Sequence, residues 1–255
     1  NHFFSDWYYL SIRFIKQIWR PWLALIPSLV FPIFFFWVDA QAFSSIVQIP
    51  GFPTESYLLF IAPLAIFTAI FFAAGNAGIE LVVDISSGYF NKLVIMPINK
   101  LAIIFGKLTE VAIQATLQGL VVLILLLLFT EAKPTTGVLG IIAMFGMLVL
   151  FAMAWSNISM ILALQTKNPR LVQSLFIIVF PFLYITTGQM PRDLLPEPFH
   201  TLVIYNPVTY IIEGARALML SSWGDPAILN GFLVSIVMFI ALTSATLYSF
   251  RKILK

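Results

Sequence analysis

The chain has 255 residues, of which 60% are hydrophobic, 15% aromatic and only 10% charged, with a formal net charge of +3; soluble domains average about 45–50% apolar and about 25% charged residues. The 14 Lys and Arg and 11 Asp and Glu are too few to cover a water-exposed surface of this size, so a soluble monomer and a disordered chain are excluded and a lipid bilayer is the expected surrounding. The absence of Cys removes disulfides, thiolate metal sites and thiol nucleophiles, and the small net charge gives no reason to expect nucleic acid as a partner.

In chain order, residues 1–20 come first. The chain begins at Asn1 and not at Met, and further residues are expected upstream. Phe4, Trp7, Tyr8, Ile15, Ile18 and Trp19 recur at helical spacing, with Asp6, Arg13, Lys16, Gln17 and Arg20 on the other face. That pattern predicts a helix lying in the membrane interface, and a helix packed on a partner subunit gives the same pattern. A span needs about 20 mostly apolar residues, and six stretches meet or approach that length: 22–38, 57–79, 108–129, 137–164, 171–187 and 227–250. The first is too long for the apolar core of a signal peptide and is interrupted by Pro27 and Pro32. The long segment 188–226 is expected on the outer side, with 202–220 a half-inserted or surface helix. Reading 202–220 as a seventh span would place Asn206, Pro207, Glu213 and Arg216 at membrane depth, at a few kcal/mol per charge.

Six spans put both termini on one side. With that side cytoplasmic, Arg13, Lys16, Arg20, Lys92, Lys100, Lys107, Lys167, Arg170, Arg251, Lys252 and Lys255 lie inside, and only Lys133, Arg192 and Arg216 lie outside. Basic residues beside spans are retained in the cytoplasm, so the expected orientation has both ends inside. The fold class is therefore all-α integral membrane, one domain over 1–255.

Catalytic chemistry is sparse. His2 and His200 belong to no metal-ligand spacing, no G-x-S-x-G elbow is present, and Gly106-Lys107 is followed by Leu108, so no phosphate-cradling loop exists in the sequence. The spans carry essentially no charge beyond Glu110, which argues against ion-coupled transport built on carboxylates. Ser156, Asn157, Ser159 and Thr186 are left with two readings, as polar lining of a carrier cavity or as hydrogen-bonding glue between helices.

The densest polar stretch runs from Glu80 through Asp84, Gly88, Asn91, Lys92 and Pro97 to Gly106 and Lys107. Ser86, Ser87 and Gly88 are expected to break a helix, Tyr89–Met96 to form a short one and Pro97 to stop it. This segment resembles the pattern D-x-x-x-G-x-x-[ND]-[RK]-[LF]-x-x-x-P-[IV], followed by G-[KR], of the ABC-2-type transporter permeases, in particular the daunorubicin-exporter-like branch. The widespread form of the motif carries Glu-Arg-Glu before the Gly. Here Asp84-Ile-Ser-Ser stands in its place, and Glu80 is left with no motif role. A second segment, with Gly188, Pro191, Leu195-Pro196 and Asn206-Pro207-Val-Thr-Tyr210-Ile-Ile-Glu213-Gly-Ala-Arg216, is similar to the family's outer signature.

The resemblance implies six spans, an interfacial N-terminal helix, a cytoplasmic coupling helix between the second and third spans and an outer re-entrant hairpin before the sixth. It implies a permease subunit of an exporter that moves an amphiphile such as a lipid, lipid-linked glycan or hydrophobic natural product across a bacterial plasma membrane or an equivalent organelle membrane. A second permease copy, more naturally identical than different, would complete the pathway. The chain itself would be no enzyme and would hold no cofactor or metal, ATP and Mg belonging to a separate ABC ATPase. Asp84, Gly88, Tyr89, Asn91, Lys92, Pro97, Gly106 and Lys107 are the candidate ATPase-coupling residues, with Asp84 pinning the helix start; for Lys92 and Asp84, plain topology and helix-end roles remain alternatives. Gly188, Pro191, Pro196, Asn206, Pro207, Tyr210, Glu213 and Arg216 form the candidate outer hairpin, either gate or static plug. Asn206 and Pro207 are expected to start a helix, on which Glu213 and Arg216, three apart, are placed to pair. A polysaccharide-exporter permease of the same fold and a non-transporting membrane scaffold are the competing functions.

Overall fold

A computed structural model describes residues 3–19, 25–129 and 134–253. His2, Arg20, Trp22, Lys133 and Lys255, named above, lie outside the described residues. Among the described residues eleven α-helices follow one another: α1 Phe3–Trp19, α2 Leu25–Ala42, α3 Tyr57–Gly75, α4 Ala77–Ser86, α5 Tyr89–Ile95, α6 Lys100–Phe129, α7 Gly137–Thr166, α8 Pro169–Tyr184, α9 Phe199–Tyr205, α10 Pro207–Leu220 and α11 Pro226–Ile253. Four stretches, 57–86, 100–128, 137–166 and 226–252, are long and apolar enough to cross a bilayer, and Leu29–Ala42 and Pro169–Tyr184 are shorter apolar helices.

The centre of the bundle is α3. It is hydrophobic all round, and Ile66, Phe67, Ala69, Ile70 and Ala74 are all buried, the composition of a helix with neighbours on every side. It packs against α2, α6, α7 and α10. Its continuation α4 follows a break at Asn76 and lies against α7 and α8. By contrast α11 packs on α7 and α10 and presents Leu229, Leu233, Ile236, Val237 and Ile240 outward, a single stripe at helical spacing suited to lipid.

Close approach of backbones sets two crossings. At Gly78 a Cβ would lie 2.4 Å from the Ser159 carbonyl oxygen, and the Gly78 N–H donates to Ser159 Oγ at 3.2 Å. At Gly231 a Cβ would lie 2.9 Å from the Tyr210 carbonyl oxygen, so α10 and α11 touch there as small-residue membrane interfaces do. Polar side chains add to this: Asn157 Nδ2 donates to Thr243 Oγ1 at 3.1 Å, joining α7 to α11. Ser156, Asn157 and Ser159 are fully buried; Asn157 and Ser159 bond to neighbouring helices, while Ser156 donates within its own helix to the Met153 carbonyl oxygen at 2.9 Å.

The N-terminal helix differs from its sequence pattern. Leu10 and Phe14 are buried against α6, and Trp7 Nε1 donates to Thr109 Oγ1 at 2.9 Å, whereas Phe4 and Tyr8, expected on the same apolar stripe, point outward. Close packing on α6 turns the stripe, because Gly106 admits Phe14 and Leu10 at a distance where a Cβ would be 3.1–3.2 Å away. The Ile18 and Trp19 side chains lie outside the described residues.

Candidate functional site

Two clusters of polar residues remain, at opposite ends of the chain's helices, and both coincide with the sequence motifs. The first is built on α4, α5 and α6. Ser86 ends α4, Ser87 caps it, and Gly88 turns the chain with φ of 74°, a left-handed conformation that favours glycine. Pro97 follows the end of α5 after one residue, Met96. In this short helix Phe90 and Leu93 face inward, the Phe90 ring meeting Phe250 at 5.9 Å between centroids. Asn91, Lys92, Ile95, Met96 and Pro97 face outward, with Ile95 82% exposed.

Beneath α5 lies a buried ion network. Lys107 Nζ donates to Glu110 Oε2 at 2.7 Å and to Glu80 Oε2 at 3.0 Å. Lys107 and Glu110 are fully enclosed, while Glu80 is 38% exposed at its side chain. The Lys107 ammonium also sits 4.8 Å from the Phe14 ring centroid, so α1, α4 and α6 meet at one charge. Asp84 is buried one turn after Glu80. On the other side of α5, Arg13 stacks on Tyr89 at 3.2 Å from the ring centroid; burial raises the Tyr89 pKa, and Arg13 opposes that rise. Asp6 Oδ2 accepts from the Asn99 N–H at 2.9 Å, fixing α1 to the chain between α5 and α6.

The coupling residues expected from sequence therefore divide. Asn91 and Lys92 lie on the exposed face of α5, Pro97 is exposed just beyond its end, and Gly88 makes its turn. Asp84, Gly106 and Lys107 are internal. Sequence reasoning left out Glu80 and Arg13, both of which contact this cluster.

The second cluster is the segment 188–220. Asn206 separates α9 from α10, so neither is long enough to span. As expected, Asn206 Oδ1 accepts from the Val208 N–H at 3.0 Å and Pro207 opens α10. Asn206 Nδ2 also donates to the Phe182 and Ile185 carbonyl oxygens at 2.8 and 2.6 Å, tying the hairpin to the end of α8. The expected pair of Glu213 with Arg216 does not form. Glu213 accepts from Arg192 at 2.8 Å, and Arg192 in turn lies 5.6 Å from the Tyr210 ring centroid. Arg216 instead donates to the carbonyl oxygens of Phe60, Thr187 and Gly188 at 3.1, 2.7 and 2.9 Å and stacks over Phe60 at 3.7 Å. Glu213 and Arg216 share a helix face without pairing, because three main-chain acceptors on α3 and after α8 hold the guanidinium fork. Burial draws the Arg216 pKa down to about 10, against the charge of Glu213, and leaves it protonated at neutral pH. Gly188 carries one of these acceptors, Pro191 precedes the turn containing Arg192, and Pro196 precedes α9. His200 pairs with Glu197 at 3.3 Å on the surface. Among the described residues no three His, Cys, Asp or Glu are grouped to hold a metal ion.

Residues 5–220 match the family described as ABC-2 type transporter. The chain is 23% identical over 250 residues to a protein of Porphyra purpurea named "Putative transport permease ycf38", covering 93% of this chain and 85% of that one. The proteins of the same name from Cyanophora paradoxa and Pyropia yezoensis are 25% identical over 226 residues and 27% over 263, covering 87% and 96% of this chain and 77% and 87% of theirs.

Proposed function

Because the chain belongs to the ABC-2 type transporter family, an integral membrane family that works with ABC ATPases, we propose that it is the permease subunit of an ATP-driven exporter and that α5 is its coupling helix. The observation that carries this reading is the two-sidedness of α5. Phe90 and Leu93 anchor it in the bundle while Asn91, Lys92, Ile95 and Met96 stand free at its outer face. A seven-residue helix anchored this way is a lever: a partner that grips the free face moves the ends of α4 and α6 with it.

ATP drives transport only if the assembly binds it better in one conformation than in another, and α5 is where that difference enters the membrane domain. Lys92 is placed to meet a carboxylate on the ATPase. Lys107 acts from inside, holding α4 and α6 together under the lever. The chain catalyses no reaction of its own, and ATP and Mg belong to the ATPase. We read α2, α3 with α4, α6, α7, α8 and α11 as six spans with both termini cytoplasmic, the sorting of Lys and Arg given above being the support. At about 27 Å and 24 Å, from 18 and 16 residues, α2 and α8 nearly match a hydrocarbon core of about 30 Å. A second identical copy completes the pathway. Arg216 fastens α10 to α3, which supports an outer hairpin that moves with α3 as one body.

Nearly uncharged, aromatic-rich walls suit an amphiphilic substrate over a small ion. Reconstitution with the cognate ATPase in proteoliposomes tests the reading. Amphiphile-stimulated ATP hydrolysis that requires this chain is expected, and hydrolysis indifferent to the chain and to every amphiphile would refute it.

A further inference from the structure

We propose that the cleft between α2 and α8 binds the ammonium head of a cationic amphiphile at Asp39, with the apolar body in the cavity that adjoins it. This rests on the reading of the chain as an amphiphile permease and narrows the substrate to a cation-headed one. Two cavities meet here and share Tyr184 and Gln189. The inner niche, about 30 Å³, is lined by Phe31, Phe35, Asp39 and Phe180; that is room for a small polar group and too little for a chain or ring. The outer cavity, about 320 Å³, has walls of Phe43, Ile46, Met190, Leu195 and Phe199, the size and lining of a site for an apolar body.

The niche has the chemistry of a cation site. Its rings form a continuous wall, with centroids 4.3 Å apart for Phe31 and Phe35, 5.5 Å for Phe31 and Phe180 and 5.4 Å for Phe180 and Tyr184. Ring faces attract ammonium groups, and aromatic boxes are the common means of recognising them. Asp39 adds a carboxyl group, the one acidic side chain lining the niche among the described residues. Its Oδ2 accepts one hydrogen bond from Gln189 Nε2 at 3.1 Å, and Gln189 is itself fixed by the Tyr57 hydroxyl, which donates to its carbonyl oxygen at 3.1 Å. One donated hydrogen bond leaves most of the carboxylate's acceptor capacity unused. Among the described residues no Lys, Arg or His lines either cavity and Asp39 makes no ion pair. Asp39 is only partly buried beside these rings, and with one donor and no cation of the protein in contact it offers its remaining oxygen lone pairs to a ligand ammonium. Charge, niche size and adjoining apolar cavity thus select the same ligand: a single cationic head on a hydrocarbon or aromatic body.

The test is equilibrium binding to the full chain in nanodiscs of zwitterionic lipid, with empty nanodiscs subtracted. The probes are dodecylamine, protonated at neutral pH, and dodecanol, its uncharged counterpart of equal length. Dodecylamine is expected to bind about tenfold tighter than dodecanol or better, a difference of roughly 1.4 kcal/mol. Asp39→Asn should bring the amine down to the level of the alcohol and leave the alcohol unchanged. Phe180→Leu, which keeps the charge and removes a ring face, should weaken the amine severalfold and spare the alcohol, so the proposal stays testable if Asp39→Asn does not fold. Equal amine binding by wild type and Asp39→Asn, parallel loss of both probes, or displacement of the amine by millimolar sodium or potassium would each overturn the proposal. No ATPase enters this measurement. Amphiphile-stimulated hydrolysis without cation preference would retire only this site, and cation preference without stimulated hydrolysis would retire only the exporter reading.

Discussion

The two ends of the bundle place a buried cation in opposite ways. At the α5 end Lys107 is held by charges, Glu110 and Glu80, which sit on side chains of two different helices. At the α10 end Arg216 is held by three main-chain oxygens and the Phe60 ring, and the nearby carboxylate of Glu213 is taken by Arg192. Side-chain partners change rotamer at small cost, whereas main-chain carbonyls move only with the backbone that carries them. The first arrangement therefore suits a joint that transmits movement, and the second suits a clamp that keeps two elements together.

Lys107→Met should cost most, because it leaves Glu110 buried without a cation beside Glu80 and Asp84. About 3–5 kcal/mol is expected, read as a large drop in thermal stability of the purified protein. Lys107→Met with Glu110→Met should recover most of that loss, since a buried ion pair exchanged for apolar side chains is often neutral; failure to recover would mean that the network matters beyond its charge balance. Arg216→Lys should cost about 2–3 kcal/mol, because a single ammonium cannot serve three diverging carbonyl oxygens. Hydrogen exchange should rise in residues 187–189, and unchanged protection there would break the clamp side of the comparison.

Smaller effects separate the joints from the clamps. Asn206→Ala removes a helix cap and two bonds to the end of α8, and a loss of about 1–2 kcal/mol is expected by thermal unfolding. Gly88→Ala meets no atom within 4 Å but must hold φ of 74°, so about 1 kcal/mol is expected. A larger drop in stimulated ATP hydrolysis than this stability loss explains would mark the turn as part of the lever.

Much of this was legible in the sequence. Hydropathy and breakers found the long helices to within a turn at most ends, and Ser86-Ser87-Gly88 and Pro97 bounded α5 because turn and stop chemistry is local. Asn206-Pro207 was legible for the same reason. The Lys107–Glu80 pair was not, since its members are 27 residues apart and meet only when α4 and α6 pack. Nor was the fate of Arg216: spacing along a helix names candidate partners on that helix, and the acceptors that won belong to other elements. The outward Phe4 and Tyr8 show the same limit, since composition marked an apolar stripe and Gly106 on another helix decided which residues it buries.

On the proposed reading, the free face of α5 carries the ATPase's work into the membrane. Lys92→Glu tests it most directly, because Lys92 is exposed and its loss should leave folding intact. In the reconstituted complex, substrate-stimulated ATP hydrolysis and transport should fall at least about tenfold, roughly 1.4 kcal/mol of coupling, with the melting temperature of the chain unchanged. Full stimulated hydrolysis and full transport by Lys92→Glu would contradict the account.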